Sequence, residues 1–364
     1  MTGNPYQELA QRLDQLPNGF PATEDGAELR LLEKLYTPDE AALAAQLKLK
    51  LETPAEIAER LQGSELDTDA RSIKQTLKGM ARKGLISAGK TERGMCFSLM
   101  PFVVGVYEMQ IGRIDEELAR LFEDYYVQAF GETLRIEPKF HRVVPIGETI
   151  QIDMEVRPFE SATEIVNQAE AWGVLDCICR KQKALIGDPC EHPVEVCMAF
   201  SPVPGTFDHS DVVRALTHQE ALDTLQLAAR AGLVHTVSNS QEGNYYICNC
   251  CTCSCGLLRG MAEMGIANVV AHSAFVNYID EDICTACETC VDYCQFEALE
   301  LSGGFMQVNT IRCVGCGVCV PACPEDALKL VRRPPEQMPF IPQNEEIWRE
   351  ERAMARGIDI EEVM

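Results

Sequence analysis

The sequence predicts an α+β protein with a helical N-terminal domain, a cysteine-rich and mostly helical middle domain, and a C-terminal domain built on a duplicated motif. Three observations lead to this prediction. Strong helix-start signals lie in the first third of the chain. Of 364 residues 18 are cysteine, and almost all of them fall in the second half. The last third contains an internal sequence repeat.

The N-terminal prediction depends on two capping boxes, Thr37-Pro38-Asp39-Glu40 and Thr53-Pro54-Ala55-Glu56. A third helix is expected over residues 70–83, ending at Gly84. Turn residues within 85–100 then favour a β-hairpin. Because three short helices followed by a hairpin is the order of a winged helix, we expect residues 1–130 to form a domain that resembles this fold.

The third predicted helix and the hairpin are locally basic. Seven cations lie between positions 71 and 93: Arg71, Lys74, Lys78, Arg82, Lys83, Lys90 and Arg93. One interpretation is a DNA-recognition helix, which would make the protein a transcriptional regulator. The other is a solvated helix face or a docking surface for an acidic partner. We favour docking, since no arrangement of side chains for reading bases accompanies the cations.

The whole chain is strongly acidic, with a formal net charge of −24. Such a surface repels nucleic-acid phosphates and attracts basic patches on partner proteins. The N-terminal sequence has no secretory pattern and no stretch is apolar enough to insert into a membrane. We therefore expect a cytoplasmic protein, in which reduced cysteines at dense spacing indicate metal binding.

The C-terminal repeat has the form C-x2-C-x2-C-x3-C, and its second copy follows the first by 29 positions. The first copy contains Cys284, Cys287, Cys290 and Cys294, and the second contains Cys313, Cys316, Cys319 and Cys323. Three thiolates at this spacing can surround one corner of an iron–sulfur cube. A pair of zinc sites is the alternative, but zinc prefers two C-x2-C pairs separated by a longer spacer.

Residues 276–333 resemble the bacterial-type two-cluster ferredoxins, which use this repeat. The resemblance implies two [4Fe–4S] clusters with exchanged fourth ligands. Cluster I would be held by Cys284, Cys287, Cys290 and Cys323, and cluster II by Cys313, Cys316, Cys319 and Cys294. One departure from the family pattern is Gln295, which stands where the second copy has the usual Pro324.

The middle region, residues 131–275, contains nine more cysteines in two groups. The first group is Cys177, Cys179, Cys190 and Cys197, and the second is Cys248, Cys250, Cys251, Cys253 and Cys255. The pattern CxCR…C…PxxxC resembles a region of uncharacterised iron–sulfur proteins of anaerobes, a family without an activity to carry over. We expect at least one additional [4Fe–4S] cluster, held by the first group or by a mixture of both. Zinc and unmetallated redox thiols are the alternatives.

Other residues near these cysteines have less specific roles. Arg180 either donates to a cluster or packs at a helix end, and His192 is expected to be a hydrogen-bonding surface residue. Cys96 is expected to be a small buried hydrophobic residue. Adjacent Cys250 and Cys251 should point in different directions on an extended chain, so one metal is not expected to take all five cysteines of the second group.

The functional prediction is an electron-transfer protein or subunit. No Walker A loop, no GxGxxG after a strand and no HExxH motif is present. Substrate chemistry would therefore belong to a partner, a flavin- or metal-containing oxidoreductase. The redox-sensing regulator is the second hypothesis. An enzyme with its own catalytic cluster in the middle domain is the third. Residues 334–364 are expected to form a C-terminal tail.

Overall fold

The computed structural model describes residues 3–64, 66–151 and 154–364. It combines α-helices with antiparallel sheets, as the sequence predicts. The chain divides into two compact units. The first extends to Glu137 and includes Arg349–Met364, and the second is Pro138–Trp348. Among the described residues, none of the helices has the length and apolar character needed to cross a bilayer.

The first unit is mainly helical. Its elements before residue 138 are Pro5–Asp14 (α1), Ala27–Leu35 (α2), Pro38–Ala45 (α3), Pro54–Arg60 (α4), Ala70–Arg82 (α5), Ser87–Thr91 (β1), Gly94–Ser98 (β2), Glu116–Tyr125 (α6) and Gly131–Arg135 (α7). Both predicted capping boxes are confirmed. Thr37 and Thr53 each accept a bond from the third helical N–H, and the glutamate three residues later bonds back to the cap.

Helices α3, α4 and α5 are followed by the β1–β2 hairpin, the order expected for a winged-helix-like domain. Glu52, between α3 and α4, forms a single antiparallel bridge with Phe97 of β2. The apolar face of α5 buries Ile73, Leu77 and Met80. That periodicity leaves the cations of α5 on the opposite face.

Arg352 joins the C-terminal segment to this unit. Its side chain is completely buried and donates to the carbonyls of Pro17, Thr133 and Ile136. Because a buried guanidinium needs all of its donors satisfied, these bonds fix the segment firmly. Residues 349–364 are therefore part of a packed unit in the structure, where the sequence suggested only a tail.

The second unit contains a six-stranded antiparallel sheet. Its strands are His141–Val143 (β3), Ala171–Asp176 (β4), Glu195–Ser201 (β5), Arg214–Leu216 (β6), Val234–Ser238 (β7) and Tyr246–Cys250 (β8). They are arranged in the order β3-β7-β8-β5-β4-β6. The helices that accompany the sheet are Ala162–Asn167 (α8), Ile178–Leu185 (α9), His218–Arg230 (α10) and Arg259–Met264 (α11).

This sheet corrects the expectation of a mostly helical middle domain. Its strands are only three to seven residues long, so any two-residue alternation in the sequence extends over too few positions to predict the sheet. The buried core instead brings together residues distant in sequence. Val174 of β4, Met198 of β5 and Ile247 of β8 pack with Leu225 of α10.

The duplicated motif folds onto its own small sheets. Phe275–Ile279 (β9) pairs with Leu328–Arg332 (β12), and Leu299–Ser302 (β10) pairs with Phe305–Val308 (β11). Between β9 and β10 lies a short helix, Thr289–Tyr293 (α12). The final helix of the chain is Glu345–Arg356 (α13). Pairing of β9 with β12 joins the two ends of the repeat, so the two cysteine runs are held side by side.

Candidate metal centres

The two halves of the C-terminal repeat have the same backbone conformation between their cysteines. Left-handed φ angles occur at Ala286 and Glu288 in the first half, and at Gly315 and Gly317 in the second. Each pair is separated by 29 positions, the period of the sequence repeat. Left-handed residues between ligands turn successive backbone N–H groups towards one point, which suits an anionic cluster.

Glycine is required in the second half for a further reason, which is close packing. A Cβ atom on Gly315 would lie 2.0 Å from the carbonyl oxygen of Phe275, and one on Gly317 would lie 2.5 Å from Oγ1 of Thr149. Ala286 and Glu288 have side chains in the same conformation and accept the strain of a left-handed φ.

One set of neighbouring thiols at the C-terminal repeat combines cysteines from both halves. Burial raises the pKa of Cys290 to about 11, and the neighbouring thiols of Cys323, Cys284 and Cys287 contribute. Cys323 belongs to the second half in sequence but lies with the first half in space. This is the crossed arrangement that the ferredoxin resemblance implies.

The other set of thiols at the repeat combines cysteines of the second half with Cys294 of the first half. Burial raises the pKa of Cys316 to about 12, with Cys313 and Cys294 as the neighbours that contribute. Burial also raises the pKa of Cys319, which interacts with Cys294 and with Cys290 of the first set. The two sets are therefore adjacent. A metal that binds these buried thiols must displace their protons, so metal binding here releases protons and depends on pH.

Hydrogen bonds to sulfur repeat between the halves as well. The backbone N–H of Ala298 donates to Cys294 Sγ at 3.3 Å, and that of Ala327 donates to Cys323 Sγ at 3.4 Å. Asn277 on β9 adds a side-chain donor to Cys319 Sγ at 3.1 Å. Donors of this kind stabilise the negative charge of a thiolate or of a cluster.

In the middle region, six thiols form a connected series. They come from the start of α9, from strands β5 and β8, and from the turn after β8. Hydrogen bonds between neighbouring thiols join, in order, Cys177, Cys179, Cys255, Cys250, Cys248 and Cys197. Strand pairing accounts for the end of the series, because Met198 is opposite Ile247 and this register makes Cys197 and Cys248 cross-strand neighbours.

The remaining three cysteines lie elsewhere, with a histidine. The ligand atoms of Cys190, His192, Cys251 and Cys253 all lie within 4.8 Å of one another. The structure therefore does not bring Cys177, Cys179, Cys190 and Cys197 together as one group. It does separate Cys250 from Cys251, in agreement with the alternation of side chains along an extended chain.

His192 was not expected to be part of a metal centre. A lone histidine gives a weak signal, and its partners Cys251 and Cys253 are far away in sequence. The available signal was the short spacing Cys190-x-His192 between Pro189 and Pro193, which favours a rigid loop with two ligands on one side. Cys96 behaves as predicted: it is completely buried in the first unit.

Arg180 is the charged group nearest to the middle cysteines. Its side chain is only 2% exposed, and its Nη2 donates to the carbonyl of Asn249 at 2.7 Å and approaches Cys251 Sγ at 3.6 Å. Nε and Nη1 are buried without a partner among the described residues. Burial opposes the charge of the guanidinium, but the thiols of Cys177, Cys251 and Cys250 raise its pKa. A buried cation with unsatisfied donors fits a site that binds an anionic group.

Gln295, the departure from the ferredoxin pattern, has a contact of its own. Its side-chain amide donates to the carbonyl of Gly232, and its Oε1 accepts from the backbone N–H of Thr252 at 2.8 Å. Thr252 lies between Cys251 and Cys253. A proline at position 295 could make neither bond. The residue that follows Cys294 therefore connects the ferredoxin-like region to the cysteine turn after β8.

Comparison with known proteins identifies one part of the chain. The family model for the 4Fe–4S binding domain matches residues 277–300 and 306–329, which are the two halves of the repeat. No curated protein and no solved structure matches the chain. Residues 277–329 are thus a 4Fe–4S binding region of the ferredoxin type, and this region gives the protein an iron–sulfur electron-transfer function.

Proposed function

We propose that this protein passes single electrons through two [4Fe–4S] clusters, and through a further one in the middle region, to a partner oxidoreductase. The observation that carries the proposal is the arrangement of the eight C-terminal thiols. They form two groups, each completed by a cysteine from the opposite half, and the groups touch through Cys290 and Cys319. Adjacent clusters permit rapid electron hopping between them.

In this proposal Cys323 completes cluster I and Cys294 completes cluster II. The buried thiols, the N–H donors to sulfur and the repeated left-handed turns all support cluster ligation. The clusters supply reversible one-electron chemistry. The protein residues hold them, exclude water and, through donors such as Asn277, favour the more negative reduced state.

The ligands of the further cluster come from both groups of middle cysteines. Cys177 and Cys179, at the start of α9, meet Cys250 at the end of β8 and Cys255 on the turn that follows. The guanidinium of Arg180 interacts with Cys177 and Cys250 and offers two unsatisfied donors. Four thiolates and a cluster core are anionic, so a buried arginine at this point lowers the electrostatic cost of binding.

The iron-sulfur regulator is the alternative function, and one observation favours it. Helix α5 exposes Arg71, Lys74, Lys78 and Arg82 beside a β-hairpin. The same face can dock an acidic protein surface without base recognition, which is the simpler requirement. We therefore place partner docking first.

The test of the electron-transfer proposal is the iron and acid-labile sulfide content of the full chain, purified anaerobically, with EPR after reduction. We expect about twelve irons per chain, four for each of three clusters. Signals of interacting reduced [4Fe–4S] clusters should appear. About eight irons would refute the further cluster, about sixteen would require another, and zinc in place of iron would refute the whole proposal.

A further inference from the structure

Cys190, His192, Cys251 and Cys253 form the one group of three or more His, Cys, Asp or Glu ligands in the described part of the chain whose ligand atoms are all mutually close. All four ligand atoms lie within 4.8 Å of one another. Nδ1 of His192 is 3.7 Å from Sγ of Cys253. Thiolates that hold a [4Fe–4S] cube must stand farther apart, because four irons and four sulfides lie between them.

These separations suit a single tetrahedral ion. With Zn–S bonds of about 2.3 Å and a Zn–N bond of about 2.0 Å, the edges of a ligand tetrahedron measure roughly 3.6 to 3.8 Å. The set of three cysteines and one histidine is also one of the usual combinations of structural zinc sites. A closed set of four protein ligands leaves no position for a substrate.

The elements around the site hold it in place before any metal binds. Cys190 and His192 lie on the loop between α9 and β5, and the salt bridge from Lys183 Nζ to Asp188 Oδ2, 2.5 Å long, anchors the start of this loop. Cys251 and Cys253 lie on the turn after β8, where the N–H of Cys255 bonds to the carbonyl of Cys251 at 3.0 Å. Cys251 itself is 1% exposed.

Polar groups behind the ligands complete the site. Ser254 is buried and its hydroxyl approaches Cys253 Sγ at 4.0 Å and bonds to Cys190. Arg180 approaches Cys251 Sγ at 3.6 Å. Outer groups that donate to ligand sulfurs balance the excess negative charge of three thiolates on one divalent ion and fix ligand orientation.

From this arrangement we infer that Cys190, His192, Cys251 and Cys253 bind one Zn²⁺ ion. The ion fastens the 188–193 loop to the turn after β8. That turn also carries Cys255 and directly follows Cys250, two of the ligands proposed for the further cluster, and it contains Thr252, which bonds to Gln295. The zinc therefore acts as a structural clamp that fixes cluster ligands on both sides of it, without changing oxidation state itself.

Zinc K-edge absorption of the full chain, together with metal analysis, tests this inference independently of the iron content. We expect one zinc per chain, with three sulfur neighbours at about 2.3 Å and one nitrogen at about 2.0 Å. His192→Ala should lose most of the zinc during dialysis against a chelator. His192→Cys should retain it, with four sulfur neighbours. The exposed His209 supplies the matched control, since His209→Ala should leave zinc content unchanged.

The results that overturn the inference are distinct from those that overturn the cluster proposal. Absence of zinc in protein that contains its full iron would refute the zinc site alone. So would zinc surrounded only by oxygen and nitrogen, which indicates an adventitious ion. If His192→Ala removed four irons, the group would be a cluster site; a single iron in place of zinc would also refute the assignment. Loss of the expected iron with zinc retained would refute only the cluster proposal.

Discussion

At the residue scale, the position of the fourth cysteine in each run matters most. Cys294 and Cys323 each follow three closely spaced cysteines but lie beside the thiols of the opposite half. The ladder of β9 with β12 makes this exchange possible, because it holds the start of one half against the end of the other. In the proposed ligation, each fourth cysteine would couple the stability of one cluster to the folding of both halves.

Cys294→Ser should damage cluster II, whose other ligands are Cys313, Cys316 and Cys319. Serine keeps the size of the side chain but is a poor iron ligand, so about four irons per chain should be lost. Iron analysis with EPR of the reduced protein measures the effect. The remaining signal should be that of cluster I, without the interaction between the two clusters.

Cys96→Ser provides the matched control for that substitution. Cys96 is completely buried in the first unit, and Oγ1 of Thr91, 3.3 Å from its sulfur, can pair with the new hydroxyl. The iron content of the Cys96→Ser variant should equal that of the unchanged protein. Should Cys294→Ser instead remove the cluster at Cys284, Cys287 and Cys290, the crossed arrangement is wrong.

At the scale of elements, α5 is the clearest candidate for contact with a partner. Some of the cations between positions 71 and 93 already form ion pairs with carboxylates. Lys83 forms a salt bridge with Glu40 at 2.7 Å, and Arg93 forms one with Glu56 at 2.7 Å. Lys74, Lys78 and Arg82 are exposed and form no ion pair with a described residue. These three are therefore the residues to test.

Neutralising Lys74, Lys78 and Arg82 together to glutamine should weaken capture of the oxidoreductase partner, because their charges are available to an acidic surface. The unchanged protein should bind random duplex DNA no more tightly than the micromolar range of non-specific binding at physiological salt. Fluorescence anisotropy measures the DNA affinity, and pull-down from an anaerobic extract of the native host measures partner capture.

A second triple variant controls for net charge. Arg30, Lys34 and Arg120 are also exposed or half-buried cations, but each is paired with a carboxylate. Changing them to glutamine removes the same total charge and should leave partner capture nearly unaffected. A nanomolar footprint on a defined operator that changes on cluster reduction would replace the docking hypothesis with the regulator.

At the scale of the whole molecule, the candidate metal ligands are confined to one unit. Cys96 is the sole cysteine of the first unit, and the other 17 of the 18 lie within Pro138–Trp348. The first unit depends on capped helices and on buried contacts such as those of Arg352. The second unit contains strands that carry the ligands themselves, so its folding free energy includes the free energy of metal binding.

Removal of the metals with a chelator should therefore unfold the second unit selectively. Amide hydrogen exchange, followed by mass spectrometry, should show lost protection in β5, β8, β9 and β12. Protection in α1, α3 and α6 should stay as it was, because no metal ligand supports these helices. Restoring iron, sulfide and zinc should recover the protection. Equal loss of protection in both units would contradict this division of roles.

The sequence by itself determined the helix starts of the first unit and the 4Fe–4S binding region at the C-terminal repeat. Capping boxes at Thr37 and Thr53 involve residues three positions apart, so their physics is local. The cysteine runs are also local, since three ligands lie within one loop. The crossed position of the fourth cysteine followed only from the resemblance to two-cluster ferredoxins, because the spacing of a tandem repeat is equally compatible with uncrossed ligands.

Only the tertiary structure decided the grouping of the middle cysteines. Whether Cys190 joins Cys197 or Cys251 depends on the register of β5 with β8 and on the path of the loop that carries His192. The partners are about sixty positions apart, and nothing in the spacing records which thiols meet. The same holds for Gln295, whose contacts with Gly232 and Thr252 exist only after the sheet and the repeat have packed together. Local sequence fixes local geometry, whereas contacts between distant segments depend on strand pairing and packing of the whole unit.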